Sequence, residues 1–402
     1  MALEGIRVID WTIMQMGPFC SSLLGDLGAD VIKVEHRVTG DPARGLKRVR
    51  GGSTLLADGR NAYFETNNRN KKGLTVDLTK KEGKEILHRL VEKSDVFVQN
   101  FRLGVAERLG LDYNSLSQYN PQLVYASTSG YGLKGPDSQK PAWNMMGLAR
   151  SGIMTAVSTS DEDPVEIFGG IADQLGAMSL AYGILAALVA RERNGFGQEV
   201  DASLLGSMIA LQGLPIGMHL LTNLGLDVPP RKQTPNPLSN HYRCLDGRWI
   251  ELTILQSDRH WPDFCRALGI ERLQEDPRFE NMDTRAEHSP ELIAILDEVF
   301  GTRTYEQWAH ALQGNGDIAF TRIQDRSELA SDPQVIANEY ITSYDHPALG
   351  KIKMVGQTVK LSKTPGTIRL PAPEMGQHTE EILLELGYSW ADIENLKDKD
   401  VI

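Results

Sequence analysis

The chain has 402 residues, a length that allows two to three domains of ordinary size. Charged residues make up 24% and hydrophobic residues 41%, and the formal net charge of −11 argues against a general binder of nucleic acid or of anionic membranes. Three widely spaced cysteines without a CxxC pair argue against a disulfide framework or a cysteine zinc site, and favour a reducing, cytoplasmic location.

Strand and helix patterns alternate through the first half of the chain. Short runs rich in β-branched and other apolar residues predict strands at Ile6–Trp11, Asp30–Glu35, Leu74–Leu78, Val96–Gln99 and Leu123–Thr128. Between them, helical patterns begin at Gly17-Pro18 and cover Lys80–Lys93 and Ala106–Leu109. Strands separated by helices predict an α/β fold with a mostly parallel sheet covered on both faces.

The second half begins with a long apolar helix, predicted over Ile171–Arg193, followed by a strand-to-helix segment at Gly197–Leu205. The uncharged stretch Ala202–Leu226 is long enough to cross a membrane, since such a helix needs ~20 residues. Pro215 and recurring glycines interrupt it, however, so we interpret it as buried helix and expect no membrane partner.

The remaining segments predict a second, smaller domain. Their patterns indicate a loop at Thr222–Asn240, a hairpin at Tyr242–Leu255, helices up to about Leu312, a strand at Lys351–Leu361 and a helix at Glu380–Leu386. We therefore expect a large domain over residues 1–220, a small domain with its linkers over 221–325, and a C-terminal return to the large domain over 326–402.

Several common catalytic motifs are absent from the sequence. The first strand–helix turn, Asp10 to Gly17, has one glycine instead of GxGxxG, and no GxxxxGK[ST] or GxSxG occurs. The nine histidines form no HExxH pair. We therefore expect neither a nucleotide cofactor nor a metal ion.

Seven stretches in a fixed order cover nearly the whole chain. They are LEGIRVIDWT, GPFCSSLLGDLGADVIKVEHR with GDPARG, NRNKKGLTVDL, FVQNFRLGVAERLGLDY, SGYGLKGP, ADQLGAMSLAYGILAALVARERNGFGQEVDASLL and GQHTEEILLELGY. Together they resemble the family III CoA-transferases of the CaiB/BaiF type, whose relatives include formyl-CoA, carnitine and aryl-lactate CoA-transferases and α-methylacyl-CoA racemases. The resemblance implies a Rossmann-like large domain, a smaller inserted domain and an interlocked homodimer of two threaded rings.

The family's catalytic aspartate matches Asp173, at the predicted start of the long helix. From position alone, an aspartate there is more often a helix N-cap. The resemblance implies a nucleophile instead, and a free aspartate with a pKa of ~3.9 would be ionised at pH 7. Its carboxylate would attack an acyl-CoA, pass through a mixed anhydride and an aspartyl-CoA thioester, and deliver CoA to a free carboxylic acid.

Two alternatives to a transferase stay open. An acyl-CoA racemase on the same fold needs a second acid/base group, yet the upstream stretch Pro141–Met146 has no histidine, and ADQLG replaces the racemase GDFGGG. A protein that binds CoA without turnover is the other alternative, and the presence of Asp173 argues against it.

The resemblance also implies the residues that contact CoA. Basic residues follow or precede several strands, as an anionic ligand requires. The predicted CoA contacts are Gln15, Met16, His36, Arg37, Lys71, Val76, Thr79, Asn100, Phe101, Arg102, Arg108, Ser129, Gly130 and Tyr131. Two positions depart from the formyl-CoA enzyme: His36 stands where that enzyme has an arginine, and Met16 replaces a small residue.

Large apolar side chains lie on segments expected near Asp173. We predict that Met14, Trp143 and Met146 contact the acyl group, although core packing is an equally common role for such residues. A pocket of this kind suits a medium-sized apolar or aromatic acid or a 2-hydroxy acid better than oxalate or formate.

Overall fold

A computed structural model describes residues 1–159, 162–314 and 318–402. The strands are β1 (Arg7–Trp11), β2 (Asp30–Glu35), β3 (Arg48–Val49), β4 (Gly52–Ser53), β5 (Lys71–Thr75), β6 (Val96–Gln99), β7 (Val124–Ser129), β8 (Glu199–Ser203), β9 (Ser239–Arg243), β10 (Trp249–Thr253), β11 (Phe320–Ile323), β12 (Ile341–His346) and β13 (Gly350–Val355).

The α-helices are α1 (Met16–Asp26), α2 (Ala62–Asn68), α3 (Lys81–Glu92), α4 (Val105–Leu109), α5 (Tyr113–Leu116), α6 (Asn144–Arg150), α7 (Ile153–Ala156), α8 (Ile171–Asn194), α9 (Leu204–Leu211), α10 (Gly213–Thr222), α11 (Ser257–Leu268), α12 (Met282–Glu287), α13 (Ser289–Phe300), α14 (Tyr305–Leu312), α15 (Pro333–Ala337), α16 (Thr379–Glu385) and α17 (Trp390–Asp398). Short 3-10 helices lie at Pro42–Gly45, Arg231–Gln233, Glu271–Gln274, Pro277–Phe279 and Arg326–Ser331.

A six-stranded parallel sheet has the order β5-β2-β1-β6-β7-β8. Side chains alternate between its two faces: Val8 and Val31 enter one core with α1 and α8, while Ile9 and Ile32 enter the other with α3, α16 and α17. The order runs outward from β1 in both directions, so the connections diverge between β1 and β6. In open α/β sheets such a switch point opens a crevice at the carboxyl ends of the strands.

The predicted mixed α/β fold with a parallel sheet is confirmed, and two strands, Asp30–Glu35 and Val96–Gln99, have the predicted bounds. Strand β5 begins at Lys71, three residues before the predicted start at Leu74. Lys71 is buried, and a pattern of apolar residues does not reveal a lysine in an interior position. At the C-terminal side, a hairpin of β12 and β13 replaces the single predicted strand, and α17 was not predicted.

Two compact units make up the chain. The first comprises Met1–Met154, Glu166–Leu224 and Pro333–Ile402, and contains the parallel sheet. The second comprises Thr155–Val165 and Gly225–Asp332. Within the second unit, β9, β10 and β11 form an antiparallel sheet whose core includes the stacked rings of Tyr242 and Phe300.

The long helix α8 is apolar on more than one side. By length and composition it could cross a membrane, and so could α9 and α10 as a pair bent by 72°. Ala177, Leu180 and Ile184 of α8 pack into the core on one face of the sheet. The apolar residues of α8 are therefore also explained by its burial against the sheet. The interpretation of Ala202–Leu226 as buried helix is wrong for α10, which has no buried residue in this chain. Length and apolarity alone assign neither α8 nor the bent pair to a membrane.

Candidate active site

A cavity of ≈ 500 Å³ opens in the first unit at the carboxyl ends of β1, β6 and β7. This is the crevice expected at the switch point of the sheet. Ten residues predicted to contact ligand line it: Met14, Gln15, Met16, Asn100, Phe101, Arg102, Ser129, Gly130, Trp143 and Asp173. The cavity also includes residues of the segment Ser138–Lys140 and Leu204 at the start of α9.

The turn after β1 forms one wall of the cavity, and it is held by side chains from elsewhere. Met14 has a positive φ of 66°, which is uncommon for a residue other than glycine. The Asn100 side chain accepts a hydrogen bond from the Ile13 N–H at 2.9 Å and donates one to the Ile13 carbonyl at 2.6 Å. The Met14 N–H donates to Asp41 Oδ1 at 3.0 Å. Asn100 therefore stabilises the turn, in addition to any contact it makes with CoA.

A buried network of charges lies beneath this turn. Asp10 accepts hydrogen bonds from Lys71 Nζ and Ser21 Oγ, both at 2.7 Å, and Lys33 Nζ lies 3.0 Å from Asp41 Oδ2 and 3.0 Å from the Thr12 carbonyl. Burial alone would raise the pKa of Asp10, but the positive charges of Lys71 and Lys33 lower that pKa to about 2. Burial lowers the pKa of Lys71 to about 8 in spite of Asp10.

The prediction that Lys71 contacts CoA is wrong. Its side chain is fully buried, and its ammonium donates to Asp10, to the Pro18 and Asn67 carbonyls and to Asn68 Oδ1. An ammonium has three donor hydrogens, so these partners leave none for a ligand. Lys71 is a structural partner of Asp10 below the cavity.

Asp173 is the third residue of α8 and does not cap that helix. The N-cap position is Gly170, which offers no side chain, and Asn144 Oδ1 accepts hydrogen bonds from the Ala172 N–H at 2.9 Å and the Asp173 N–H at 3.3 Å. Across the described residues, 1–159, 162–314 and 318–402, the Asp173 carboxylate has no hydrogen-bond or ion-pair partner. It is therefore free to react with a ligand.

Burial raises the pKa of Asp173 to about 7. The sequence-based expectation of an ordinary carboxylate pKa therefore does not hold in this cavity, and the protonated form of Asp173 is favoured relative to a free aspartate. Burial without a partner destabilises the charged form, and within the part of the chain that the structure describes no ion pair offsets this effect. A carboxylate held in this way gains reactivity when it does ionise, because little hydrogen bonding must be broken before it attacks.

Tyr63, on α2, contacts Gln15 in the wall of the cavity. The Tyr63 hydroxyl donates to Gln15 Oε1 at 3.0 Å, and Gln15 Nε2 lies 3.5 Å from the Gly170 carbonyl. A Cβ at Gly170, whose φ is 67°, would stand 2.3 Å from Gln15 Nε2, so this position requires glycine. Burial, with a smaller contribution from the charge of Asp173, raises the pKa of Tyr63. No local sequence signal pointed to Tyr63, because its partner Gln15 lies 48 residues away in the chain.

Met16 lies between the cavity and the core. It is buried, and a Cβ on Gly176, one helical turn after Asp173, would stand 2.5 Å from Met16 Cε. The close approach of α1 and α8 therefore depends on a glycine opposite this methionine. Met16 can shape the floor of the cavity without being freely accessible.

Seven other predicted contacts lie outside the cavity lining: His36, Arg37, Val76, Thr79, Arg108, Tyr131 and Met146. Arg37 pairs with Asp400 at 2.6 Å, and Val76 is buried in the core. His36 Nδ1 accepts from the Val38 and Thr39 N–H groups, and the Thr79 hydroxyl donates to Asp77. Their roles toward CoA, and that of Met146 toward the acyl group, remain predictions.

The fold and the cavity define an α/β enzyme whose ligand site lies at the carboxyl edge of a parallel sheet. The family model described as CoA-transferase family III matches residues 3–379, so the chain belongs to this family and is a CoA-transferase. The family resemblance inferred from the seven sequence stretches is confirmed.

Three relatives illustrate the similarity. An (R)-2-hydroxy-4-methylpentanoate CoA-transferase from Clostridioides difficile is 34% identical over 413 residues, which cover 100% of both chains. A succinyl-CoA–D-citramalate CoA-transferase from Chloroflexus aurantiacus is 36% identical over 100% of this chain and 98% of its own. The crystal structure of a CAIB/BAIF family protein from Brucella suis has a TM-score of 0.83 at 28% identity, and the match covers 96% of this chain and 99% of the other.

Proposed function

We propose that this enzyme transfers CoA from an acyl-CoA to a medium-sized 2-hydroxy, apolar or aromatic carboxylic acid, with Asp173 as the nucleophile. The observation that carries this proposal is the position of Asp173: it faces a ≈ 500 Å³ cavity, and no described side chain occupies its carboxylate. Asn144 Oδ1 accepts hydrogen bonds from the first N–H groups of α8, so the Asp173 side chain does not serve as the cap of that helix.

The reaction requires four exchanges on the Asp173 carboxylate. An ionised oxygen attacks the thioester carbonyl of the donor, and the C–S bond breaks to give a mixed anhydride and CoA thiolate. The thiolate attacks the aspartyl carbonyl, releasing the donor acid and leaving an aspartyl-CoA thioester. The acceptor carboxylate then attacks that thioester, whose C–S bond breaks to give a second anhydride and CoA thiolate. The thiolate attacks the acceptor carbonyl, which forms the product acyl-CoA and releases the Asp173 carboxylate.

Two cationic side chains in the cavity suit an anionic CoA ester. Arg102 is exposed, and across the described residues its guanidinium has no ion-pair partner. Lys140 also lines the cavity, where it pairs with Asp137 at 2.6 Å. Phosphate groups favour arginine because its planar donors bind two oxygens at once, so we propose Arg102 as a phosphate contact.

The acyl group is proposed to contact Trp143 and Met14. Trp143 lines the cavity with 59% of its surface exposed, an arrangement that leaves a large apolar face available to a ligand. The relative named for (R)-2-hydroxy-4-methylpentanoate acts on a branched 2-hydroxy acid, in keeping with such a face. The relative named for D-citramalate makes a dicarboxylic acid the main competitor.

The experiment is a screen of acyl-CoA donors paired with free acids, with the products identified by mass spectrometry. Transfer by the wild-type enzyme and its loss in Asp173→Asn would support the proposal, and transfer by both proteins would contradict it. Incubation of an acyl-CoA in deuterated solvent without an acceptor tests the racemase alternative, which requires deuterium at the α-carbon. A transferase leaves that position unlabelled.

We also propose that the enzyme is an interlocked homodimer located in the cytoplasm. In support, α10 has no buried residue, and its Leu214, Leu220 and Leu221 are 76%, 75% and 87% exposed. So large an apolar surface is typical of an interface. The free, buried cysteines Cys20, Cys244 and Cys265 agree with a reducing compartment. Light scattering should give twice the chain mass of 44.5 kDa, and a monomer would contradict the dimer.

A further inference from the structure

The helix that carries Asp173 begins without a cap of its own. Gly170 occupies the N-cap position with a φ of 67° and makes no side-chain hydrogen bond. The first N–H groups of a helix need acceptors, and here the acceptor comes from a different element. Asn144, the first residue of α6, accepts from Ala172 and Asp173 through Oδ1. Both neighbours are N–H donors, so the amide oxygen and not the amide nitrogen must face them.

The packing around Asn144 leaves little freedom for this contact to change. Gly147 lies one turn further along α6, and a Cβ there would stand 3.1 Å from the Ala172 Cβ and 2.8 Å from the Leu204 Cβ. A Cβ on Gly130, at the end of β7, would stand 2.1 Å from the Ala142 Cβ. Gly147 and Gly130 therefore allow residues 142–147 to pack closely against the start of α8 and the end of β7.

We propose that Asn144 is a positioning residue for the transfer reaction, fixing the first turn of α8 so that the Asp173 carboxylate points at the bound thioester. The proposal rests on the proposed role of Asp173. Asn144 acts on the backbone N–H of Asp173 itself, so a change at this side chain moves the nucleophile directly. Trp143, its neighbour in sequence, lines the cavity, and the same short segment thereby links the acyl contact to the nucleophile.

The effect should fall on the chemical step. Attack on a thioester needs the reacting atoms at a fixed distance and angle, and a misplacement of about 1 Å can reduce a rate by roughly 100-fold. Binding of the CoA portion depends on other residues of the cavity, so it should be affected much less. A residue that only stabilises the fold would lower the melting temperature without changing kcat.

The test compares Asn144→Ala with a matched variant, Asn281→Ala. Asn281 caps α12 in the second unit and accepts from Asp283 and Thr284 N–H groups, both at 3.0 Å, yet it contributes no atom to the cavity. Both variants should lose a helix cap and melt at lower temperature. Only Asn144→Ala should lower kcat, by roughly 10- to 100-fold, while the KM for the acyl-CoA stays within about threefold.

A third variant, Asn144→Asp, keeps an acceptor oxygen in the same place. Assayed at pH 9, where both carboxylates are ionised, it should recover most of the lost kcat. If Asn144→Ala keeps a wild-type kcat, or loses no more than Asn281→Ala, the positioning role is wrong. If Asn144→Ala does not fold, Asn144→Asp alone tests the proposal. A kcat of Asn144→Asp at pH 9 that is still roughly 100-fold below wild type would then show that the positioning role is wrong.

The failure of this inference can be distinguished from failure of the proposed function. Wild-type transfer that disappears in Asp173→Asn establishes the nucleophile whatever Asn144 does. With that result in hand, a normal Asn144→Ala removes only the positioning role. Transfer activity that survives in Asp173→Asn removes both proposals.

Discussion

Two carboxylates near the carboxyl edge of one sheet have opposite surroundings. Asp10, in β1, is fully buried, yet two lysines and two hydroxyl groups surround it and its pKa is lowered to about 2. Asp173, at the start of α8, has no such partner, and burial raises its pKa to about 7. Burial penalises both charges, so the partners alone decide the sign of the difference.

The contrast separates a group that holds the fold from a group that can react. Asp10 accepts hydrogen bonds from Lys71, Ser21 and Thr12, and these bonds hold the turn that leads to the cavity. The carboxylate oxygens of Asp173 accept no hydrogen bond from the described residues. The unfavourable free energy of burying this charge therefore remains until a ligand binds. Functional sites commonly contain such groups, because a catalytic residue needs a perturbed pKa even where a paired or apolar residue would make the fold more stable.

The largest expected effect comes from removing the carboxylate that we propose as the nucleophile. Asp173→Asn should reduce kcat for transfer by roughly 1000-fold or more, because the amide cannot form the covalent intermediate. Steady-state assays with the best donor and acceptor pair measure it. Asp201, also raised in pKa by burial but outside the cavity lining, provides the control, since Asp201→Asn should keep a kcat near wild type. Equal activity of Asp173→Asn and wild type would contradict the assignment.

Removing a partner from the other carboxylate should damage the fold. Lys71→Met leaves Asp10 buried beside one lysine instead of two, and breaking a buried pair costs about 3–5 kcal/mol of unfolding free energy. Urea denaturation measures the loss. The exposed pair of Lys81 and Glu85, 3.6 Å apart, gives the control: Lys81→Met should cost less than about 0.5 kcal/mol. A loss at Lys71 as small as that at Lys81 would show that the network does not stabilise the fold.

The two carboxylates should also respond to pH in opposite directions. The folded pKa of Asp173, about 7, lies above its ordinary 3.8, so the folded state holds this proton more tightly. Its contribution to stability is therefore present at low pH and disappears as the pH rises from about 4 to 7. Over that interval, wild type should lose about 2–4 kcal/mol relative to Asp173→Asn, and kcat/KM should rise as the carboxylate ionises.

For Asp10 the sign is reversed. Its folded pKa of about 2 lies below 3.8, so its contribution of about 2 kcal/mol is present above pH 4 and is lost as the pH falls toward 2. Denaturation of wild type and Asp173→Asn in a pH series measures the first difference. A stability difference that does not change between pH 4 and 7 would mean that Asp173 is not destabilised in the folded protein.

The smallest expected effect concerns the acyl group. Trp143→Ala should lower kcat/KM for a phenyl-sized or branched acid by roughly 10-fold, since removing apolar contact area costs about 25 cal/mol per Å². The rate with oxalate or citramalate should change little. Competition assays with paired acids measure the ratio. An unchanged ratio would show that Trp143 does not contact the acyl group, and that the preference is set elsewhere in the cavity.

The sequence by itself determined the repeating features of this fold. The patterns at Asp30–Glu35 and Val96–Gln99 predict two strands with the bounds observed, because β-branched and aromatic residues such as Val31, Ile32 and Phe97 favour strands. The helix that begins near Asp173 was predicted from its apolar length and from the glycines on either side. The ordered motifs identified the family, and the family model confirmed it.

Only the tertiary structure decided which polar groups meet. Asp10 binds Lys71 across 61 residues of sequence, Gln15 accepts from Tyr63 across 48, and Asn144 reaches Asp173 across 29. Patterns of hydrophobic residues indicate what is buried, but they do not say which partner a buried polar group finds. For that reason the sequence placed Lys71 at a ligand, missed Tyr63, and gave Asp173 an ordinary pKa. The partners and the burial that correct those predictions come from elements brought together by folding.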